Sequence, residues 1–194
     1  QELAHDRSLM ERMLTCLHYK NVRHLTIQHR MAPPLMNVVN SLFYNMSLNL
    51  GEFAPSQGCI ELHSVDGNET KDGTSFRNDT ESQRIAELLK HENVEECVVL
   101  TPYAAQCRNV LQHKTGAQVH TVDAYQGREQ KIVLLSTVRD GTSGFGFWEE
   151  RRRFVVALSR AREKLVVVCS NPDRWIQQNI DVIKTLADYK HVTA

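Results

Sequence analysis

Apolar residues follow helical spacing in some stretches of the first half of the chain and strand-like alternation in others. Residues 8–19 and residues 33–45 each place apolar side chains on one helical face, and Pro33 suits the first turn of the second helix. Residues 59–65 alternate between apolar and polar side chains, which predicts a strand. We expect residues 66–79, which are polar and contain glycine, to form a surface loop, and residues 80–90 to form a helix.

The second half of the chain alternates short apolar runs with helical stretches. Strands are predicted at residues 97–100, 117–122, 132–136 and 165–169. Helices are predicted for about twelve residues from Pro102, over residues 149–161, and from Pro172 to about Tyr189. This order is typical of an α/β fold with a parallel sheet covered on both faces. In such folds ligands sit beyond the carboxyl ends of the strands, so we expect functional residues there.

Length and composition restrict the class of protein further. The 194 residues suit one domain, and 41% hydrophobic with 24% charged residues is ordinary for a globular protein. Its 23 basic and 23 acidic side chains balance, so a nucleic-acid site would be a local patch. No apolar run reaches membrane-spanning length, so we expect no membrane partner. The five cysteines are scattered without a C-x-x-C pair, which argues against a disulfide framework or a metal site and favours a reducing compartment.

The first candidate cluster is Gln28-His29-Arg30-Met31, which follows a short extended segment. Arginine offers a planar fork of donors that suits a phosphate group, and the ring of His29 can stack on a base or a ribose. The alternative is a surface arginine beside a histidine that packs into the core.

The second candidate cluster runs from Thr121 to Glu129 and precedes an apolar strand. Gly127 permits either a close approach of a ligand or a positive φ angle. Gln126 and Glu129 bring hydrogen-bonding groups to the same turn, and Glu129 can accept from a ribose hydroxyl. Thr121 and Asp123 can face a second ligand such as a nucleic-acid backbone. The alternative is an ordinary polar turn between strands.

The third candidate cluster spans residues 151–164 and carries six basic residues against one acidic residue. Its apolar stretch, residues 154–158, predicts a firmly docked helix from which Arg160 projects. A fixed arginine is what a developing phosphoryl charge requires. The alternative is a helix with solvated basic ends. The chain has no G-x-x-x-x-G-K-[ST] loop and no obvious acidic pair to hold Mg²⁺.

Together these clusters resemble the second RecA-like domain of superfamily 1 helicases, most closely the subgroup of the nonsense-mediated-decay helicase. Residues 28–31 are similar to motif IV, Q-Y-R-M, and residues 101–106 to the T-P-Y-x-x-Q segment. Residues 122–129 resemble motif V, V-D-x-x-Q-G-x-E, and residues 152–162 resemble motif VI, R-R-x-x-V-A-L-[ST]-R-A-R. The match covers about residues 8–171. Because the four motifs follow the same order as in the family, the resemblance is specific.

The resemblance implies a RecA-like three-layer fold with a mainly parallel central sheet and helices on both faces. Residues 1–194 would form the second motor domain of a longer P-loop NTPase, with residues 1–20 as a linking helix from the first motor domain. ATP with Mg²⁺ would bind between the two domains. The first domain would supply the phosphate loop, its lysine and the Mg²⁺ ligands, so the present chain alone would be inactive.

Residue roles are implied by the same resemblance. Arg30 and Arg160 would reach the γ-phosphate as arginine fingers. The nucleotide would be lined by His29, Gln126, Gly127 and Glu129, with Glu129 on the ribose. The single strand would be contacted by Thr101, Tyr103, Thr121 and Asp123. His29 departs from the usual tyrosine, and histidine differs from it in size and in charge near neutral pH.

The expected partners are the first RecA-like domain and single-stranded RNA or DNA, in an intracellular setting, cytoplasmic or nuclear. The residues do not distinguish RNA from DNA. A second hypothesis is a catalytically weak, helicase-like domain that serves as a protein-interaction scaffold. His29 and the glycine-containing loop of residues 141–147 motivate it.

Overall fold

The computed structural model describes residues 9–16, 22–178 and 181–188. Its strands are β1 (Ile27–Gln28), β2 (Asn49–Leu50), β3 (Cys59–Val65), β4 (Thr70–Asp72), β5 (Ser75–Arg77), β6 (Cys97–Thr101), β7 (Gln118–Thr121), β8 (Gln130–Ser136) and β9 (Ala161–Ser170). Its helices are α1 (Leu9–Cys16), α2 (Pro33–Phe43), α3 (Asp79–Leu89), α4 (Ala104–Leu111), α5 (Arg151–Leu158), α6 (Pro172–Gln177) and α7 (Asp181–Asp188). Short 3₁₀ turns occupy Val94–Glu96 and Gly146–Glu149.

The central sheet has five strands in the order β3-β9-β8-β6-β7, and every neighbouring pair is parallel. Parallel neighbours require crossover connections, which the helices and the longer loops supply. The expected α/β fold with a mainly parallel sheet is therefore confirmed. A separate parallel pair, β1 with β2, joins the end of the first extended segment to residues 49–50.

Alternate residues of the central strands feed two hydrophobic cores, one on each face of the sheet. On one face, Val133 of β8 and Leu165 of β9 belong to the core that includes residues of α2, α5 and α7. On the other face, Leu134 and Val166 belong to the core that includes Ile85 of α3. Because β6, β8 and β9 are buried on both faces, their sequences are continuous apolar runs and not alternating ones.

Several predicted element boundaries were wrong. Residues 66–79, expected to be a loop, contain the antiparallel hairpin of β4 and β5, whose two-residue turn is Gly73-Thr74 with φ of +63° at Gly73. The predicted final helix is described as two, α6 and α7. The expected linking helix over residues 1–20 lies partly outside the described residues, which cover α1 over residues 9–16.

The cysteines described in the structure, Cys59, Cys97, Cys107 and Cys169, are all free thiols. Burial raises the pKa of both Cys97 and Cys107 to about 11. Both therefore remain protonated at neutral pH and are poor nucleophiles. In the described ranges, no helix combines the length and the apolar character that a membrane span requires.

Candidate functional site

The turn after β1 is shaped by the side chain of Gln28. Its Oε1 accepts hydrogen bonds from the backbone N–H of Arg30 at 3.0 Å and of Met31 at 2.7 Å. Its Nε2 donates to the carbonyl of Met31 at 2.8 Å. The backbone N–H of Ala32 then donates to the carbonyl of Arg162 at 2.8 Å, which ties the turn to β9. These bonds fix the backbone from which the Arg30 side chain extends.

The guanidinium of Arg30 lies between the second and third sequence clusters. Its Nε contacts Oε2 of Glu129 at 2.5 Å, and its Nη1 donates to the carbonyl of Ser159 at 3.2 Å. Arg162 Nη1 lies 3.6 Å from the other carboxylate oxygen of Glu129. The side chains of Arg30 and Glu129 are 34% and 40% exposed, so both are accessible to a ligand.

Arg160 lies in the turn between α5 and β9. The predicted helix over residues 149–161 was too long, because α5 spans only Arg151–Leu158. The helix ends at Leu158 because Ala161 already pairs with Gln130 of β8. Arg160 Nε donates to the carbonyl of Val156 at 2.8 Å, and Nη1 donates to the carbonyl of Arg128 at 2.9 Å.

The charge of Arg160 is held in an unfavourable setting. The residue is 8% exposed, and its burial lowers the pKa of the guanidinium. The positive charge of Arg30 lowers that pKa further, while Glu129 opposes the shift. Two like charges, one of them poorly solvated, favour the binding of an anion between or beside them.

The two guanidinium groups converge on one pair of turns. Ser159, whose carbonyl accepts from Arg30, directly precedes Arg160. Arg128, whose carbonyl accepts from Arg160, directly precedes Glu129, which pairs with Arg30. Residues 130 positions apart in the chain therefore share one site, as the sequence clusters predict.

This site lies at the amino ends of β8 and β9, not at the carboxyl ends that the fold class led us to expect. Glu129 directly precedes β8, and Arg160 directly precedes β9. The reason is the loop of residues 122–129, which leaves the carboxyl end of β7 and returns to the amino end of β8. Val122 and Tyr125 of this loop are buried in the core that contains α5.

A cavity of about 490 Å³ adjoins the two turns. Its lining includes His29, Arg30, Glu129 and Ser159, together with the apolar residues Leu25, Ile27, Met31, Val39 and Leu48. Arg160 lies outside this lining, and the guanidinium of Arg30 is its one Arg or Lys charge among the residues described. That guanidinium, an apolar wall and one carboxylate match the phosphate, base and sugar parts of a nucleotide.

The other two residues of the predicted nucleotide set are placed differently. Gln126 and Gly127 are exposed in the turn before Glu129 and lie outside the lining of this cavity among the residues described. Gly127 has a φ of +85°, with no atom within 4 Å of the position that a Cβ would take. Glycine is therefore required here by the backbone conformation and not by crowding.

The predicted strand-binding residues lie toward the opposite, carboxyl edge of the sheet. Thr101 ends β6 and pairs in register with Thr121, which ends β7. Tyr103 is half-buried and Asp123 is exposed, whereas Thr101 has no exposed surface. The buried Thr101 Oγ1 has no hydrogen-bond partner among the described residues. This burial separates Thr101 from the accessible members of the set.

Comparison with known proteins identifies the family of this chain. A family model described as an AAA domain matches residues 5–172. The chain belongs to this family and is a superfamily 1 helicase domain. An uncharacterised ATP-dependent helicase of Methanocaldococcus jannaschii is 32% identical over an alignment of 174 positions, gaps included, that covers 74% of the chain and 26% of that protein.

A regulator of nonsense transcripts 1 homolog of Neurospora crassa is 31% identical over an alignment of 199 positions, gaps included, that covers 86% of this helicase domain and 18% of that protein. The chain thus spans about a quarter or less of the length of these two relatives. The solved C-terminal domain of a possible DNA helicase from Lactobacillus plantarum shares the fold. Its TM-score is 0.51 at 12% identity, and the match covers 84% of the chain and 95% of that structure.

Tyr103 of the helicase domain is held by a buried ion pair that the sequence analysis did not identify. Arg139 Nε contacts Glu69 Oε2 at 2.7 Å, with the two side chains 4% and 7% exposed. Arg139 Nη1 donates to the Tyr103 hydroxyl at 3.1 Å, and the guanidinium lies 4.3 Å from the Phe76 ring centroid. The hairpin of β4 and β5 thereby contributes to the setting of Tyr103.

Glu81 is a second buried group that the sequence analysis missed. Its carboxylate accepts from the Ser136 hydroxyl at 2.6 Å, the Thr137 hydroxyl at 3.1 Å, and the backbone N–H of Val138 at 2.8 Å and Ser170 at 3.0 Å. Burial raises the pKa of this carboxyl group. Glu81 joins the carboxyl ends of β8 and β9 beneath the edge that bears Tyr103. The sequence marks only the helix start, where the Asn78 side chain caps α3 by accepting from the backbone N–H of Glu81. The partners of the Glu81 carboxylate are distant in sequence and give no local signal.

Proposed function

We propose that this domain is the second motor domain of an ATP-dependent nucleic-acid helicase. In this proposal ATP with Mg²⁺ binds in a cleft between the domain and a first RecA-like domain. The observation that carries it is the convergence of Arg30 and Arg160 on the turns that contain Glu129 and Ser159. Single-stranded RNA or DNA would be the substrate, in the cytoplasm or the nucleus.

Arg30 and Arg160 would supply positive charge to the γ-phosphoryl group. During its transfer negative charge spreads over the phosphoryl oxygens, and fixed guanidinium groups stabilise that charge without reorganising. Arg160 is suited to this role because two backbone carbonyls hold its guanidinium in place. Arg30 is suited because its partner Glu129 is accessible and can exchange for a phosphate.

The remaining nucleotide contacts would come from His29 and the motif V turn. His29 would support the base, and Glu129 would accept from a ribose hydroxyl, with Gln126 and Gly127 beside it. The described residues contain no group of three or more His, Cys, Asp or Glu side chains that could hold a metal ion. In the proposal, the Mg²⁺ ligands and the phosphate loop belong to the first domain.

The opposite edge of the sheet would carry part of the strand-binding surface. Tyr103, Thr121 and Asp123 are accessible there, and Thr101 would support them from its buried position at the end of β6. Contacts of this kind track the backbone and the bases without reading sequence, so binding would depend on salt.

Arg160→Ala in the full-length protein tests the proposal. We expect the strand-stimulated kcat for ATP hydrolysis to fall by roughly 10³- to 10⁵-fold, as for other arginine fingers. Affinity for single-stranded nucleic acid should change little. Arg84→Ala is the matched control, because Arg84 pairs with Glu87 on α3, outside the helicase-like motifs.

Undiminished ATP hydrolysis in Arg160→Ala would overturn the proposal. A wild-type protein with negligible ATP hydrolysis, with or without a single strand, would favour the scaffold hypothesis instead. The purified 194-residue chain alone should show no measurable hydrolysis.

A further inference from the structure

The imidazole of His29 rests directly on the backbone of Gly51. A Cβ atom built on Gly51 would lie 2.2 Å from Cε1 and 2.3 Å from Nδ1 of that ring. Real Cβ contacts do not come this close, so any other residue at position 51 would displace the ring. Gly51 itself is buried and fixed, because its N–H donates to the carbonyl of Gln28 at 2.8 Å.

Phe53 holds the same imidazole from the side. Its backbone N–H donates to Nδ1 of His29 at 3.4 Å, which places the ring proton of neutral His29 on Nε2. The ring centroids of Phe53 and His29 are 5.4 Å apart with an interplanar angle of 38°. This spacing leaves no gap for a third ring between them, so a third ring can stack only on the outer side of the pair.

Core packing does not explain the Phe53 side chain. It is 74% exposed, although burying a phenyl ring is one of the larger favourable terms in folding. His29 is exposed as well, and it lines the cavity that also contains Arg30 and Glu129. The accessible ring of Phe53 lies beside His29, just outside the residues that line this cavity.

We propose that Phe53 and His29 together form a stacking shelf for the base of the bound nucleotide, and that Phe53 is a base-binding residue. This inference rests on the proposed function and adds to it a residue outside the helicase-like motifs. The imidazole of His29 offers less stacking area than the ring of the tyrosine that is usual at this motif position. The ring of Phe53 enlarges the area available to a base. Stacking uses the π-face that every base has, so the shelf binds adenine and guanine with similar strength.

Phe53→Ala in the full-length protein tests the shelf. We expect KM for ATP to rise roughly 5- to 100-fold, the range for loss of one base–aromatic stack. The value of kcat should stay within about twofold, because the phosphoryl contacts are intact. Phe53→Trp should keep KM near the wild-type value, and GTP should respond to Phe53→Ala as ATP does. Gly51→Ala should also raise KM, because it displaces His29.

Leu111→Ala is the matched control, since Leu111 is an apolar residue on α4 that is 55% exposed and lies outside the lining of the nucleotide cavity. An unchanged KM in Phe53→Ala, or a fall in kcat alone, would contradict the proposal that Phe53 binds the base.

Equilibrium binding of ADP separates this result from failure of the proposed function. A protein that binds ADP without hydrolysing ATP contradicts the helicase proposal, and weaker ADP binding by Phe53→Ala then still supports the shelf. A wild-type protein that binds no ADP overturns both.

Discussion

The carboxylate of Glu129 pairs with the guanidinium of Arg30, with 2.5 Å between Oε2 and Nε. The two residues are 99 positions apart in the chain, and each is accessible to solvent. In the free domain, Glu129 therefore occupies the donor fork that we assign to a phosphate. For an anion to bind, the guanidinium of Arg30 must release the carboxylate of Glu129 and donate to the anion instead.

This exchange predicts that Glu129→Gln strengthens the binding of tripolyphosphate to the purified chain. Exposed ion pairs contribute about 0–1 kcal/mol, so the gain should not exceed about fivefold. Tripolyphosphate has no ribose, and the predicted ribose contact of Glu129 is thus absent from the measurement. Isothermal titration calorimetry at low salt measures the change.

Glu163→Gln is the control for this prediction, because Glu163 and Glu129 line one surface pocket and the charge change is identical. Glu163 lies near Lys131 and not in the Arg30 pair. Equal gains in the two variants would show a general charge effect and would contradict the exchange.

Tyr103→Ala should weaken binding of a single-stranded oligonucleotide by the full-length protein roughly 5- to 100-fold, the range for one lost base stack. Tyr103→Phe should bind nearly as well as wild type, because the ring remains packed against Phe76. Fluorescence anisotropy at a fixed salt concentration provides the measurement.

Tyr44→Ala controls for loss of an accessible tyrosine, since Tyr44 lines the nucleotide cavity and not the strand edge. If Tyr103→Ala and Tyr44→Ala bind the oligonucleotide equally well, the assignment of the strand edge is wrong.

Glu81→Ala should lower the free energy of unfolding by about 3 kcal/mol or more, because four buried donors lose their acceptor. Glu81→Gln should cost less, since burial raises the pKa of Glu81 and a neutral side chain of the same shape keeps some of the bonds. Urea denaturation measures both variants. Glu87→Ala, at an exposed ion pair on the same helix, should stay within about 0.5 kcal/mol. If Glu81→Ala lowers the free energy of unfolding as little as Glu87→Ala does, the Glu81 carboxylate does not stabilise the ends of β8 and β9 as we infer.

Acid should remove a stabilising contribution from Glu61. Burial alone would raise the pKa of Glu61, but bonds from Lys164 at 2.7 Å and His63 at 2.9 Å hold it below 4.5. Because the folded pKa is lower than the unfolded one, the contribution is present above the unfolded pKa and is lost as pH falls through the folded pKa. Urea denaturation of wild type and Glu61→Gln should show a stability gap at about pH 7 that narrows toward about pH 3. A gap that stays constant with pH would contradict the assigned cause.

Much of the fold was predictable from the chain because buried parallel strands are apolar on both faces. The runs around Val98, Val133 and Val166 therefore stood out without any tertiary information. The hairpin of β4 and β5 did not, since its residues are polar and exposed, and its pairing depends on the turn at Gly73. Local sequence patterns therefore predict buried strands well, but they predict the pairing of exposed strands poorly.

The sequence indicated residues of the candidate site but not the edge of the sheet at which they meet. Arg30, Glu129 and Arg160 were each recognisable within a local cluster, yet the edge that unites them depends on a loop crossing the sheet. Arg139 gave no local signal, because its role follows from contacts with Glu69 and Tyr103, which are distant in sequence. The sequence likewise gave no reason to assign Phe53 to the site, because its contact with the ring of His29 is seen only in the structure.

In the proposed mechanism Arg30 and Arg160 act on one phosphoryl group, and a double-mutant cycle on kcat measures whether they do. In the full-length protein, Arg30→Ala and Arg160→Ala should each reduce strand-stimulated ATP hydrolysis by roughly 10³-fold or more. Because residues that act as a unit are not additive, the double variant should lose little beyond the more severe single variant. Losses that multiply, or hydrolysis at the wild-type rate in either single variant, would contradict the claim.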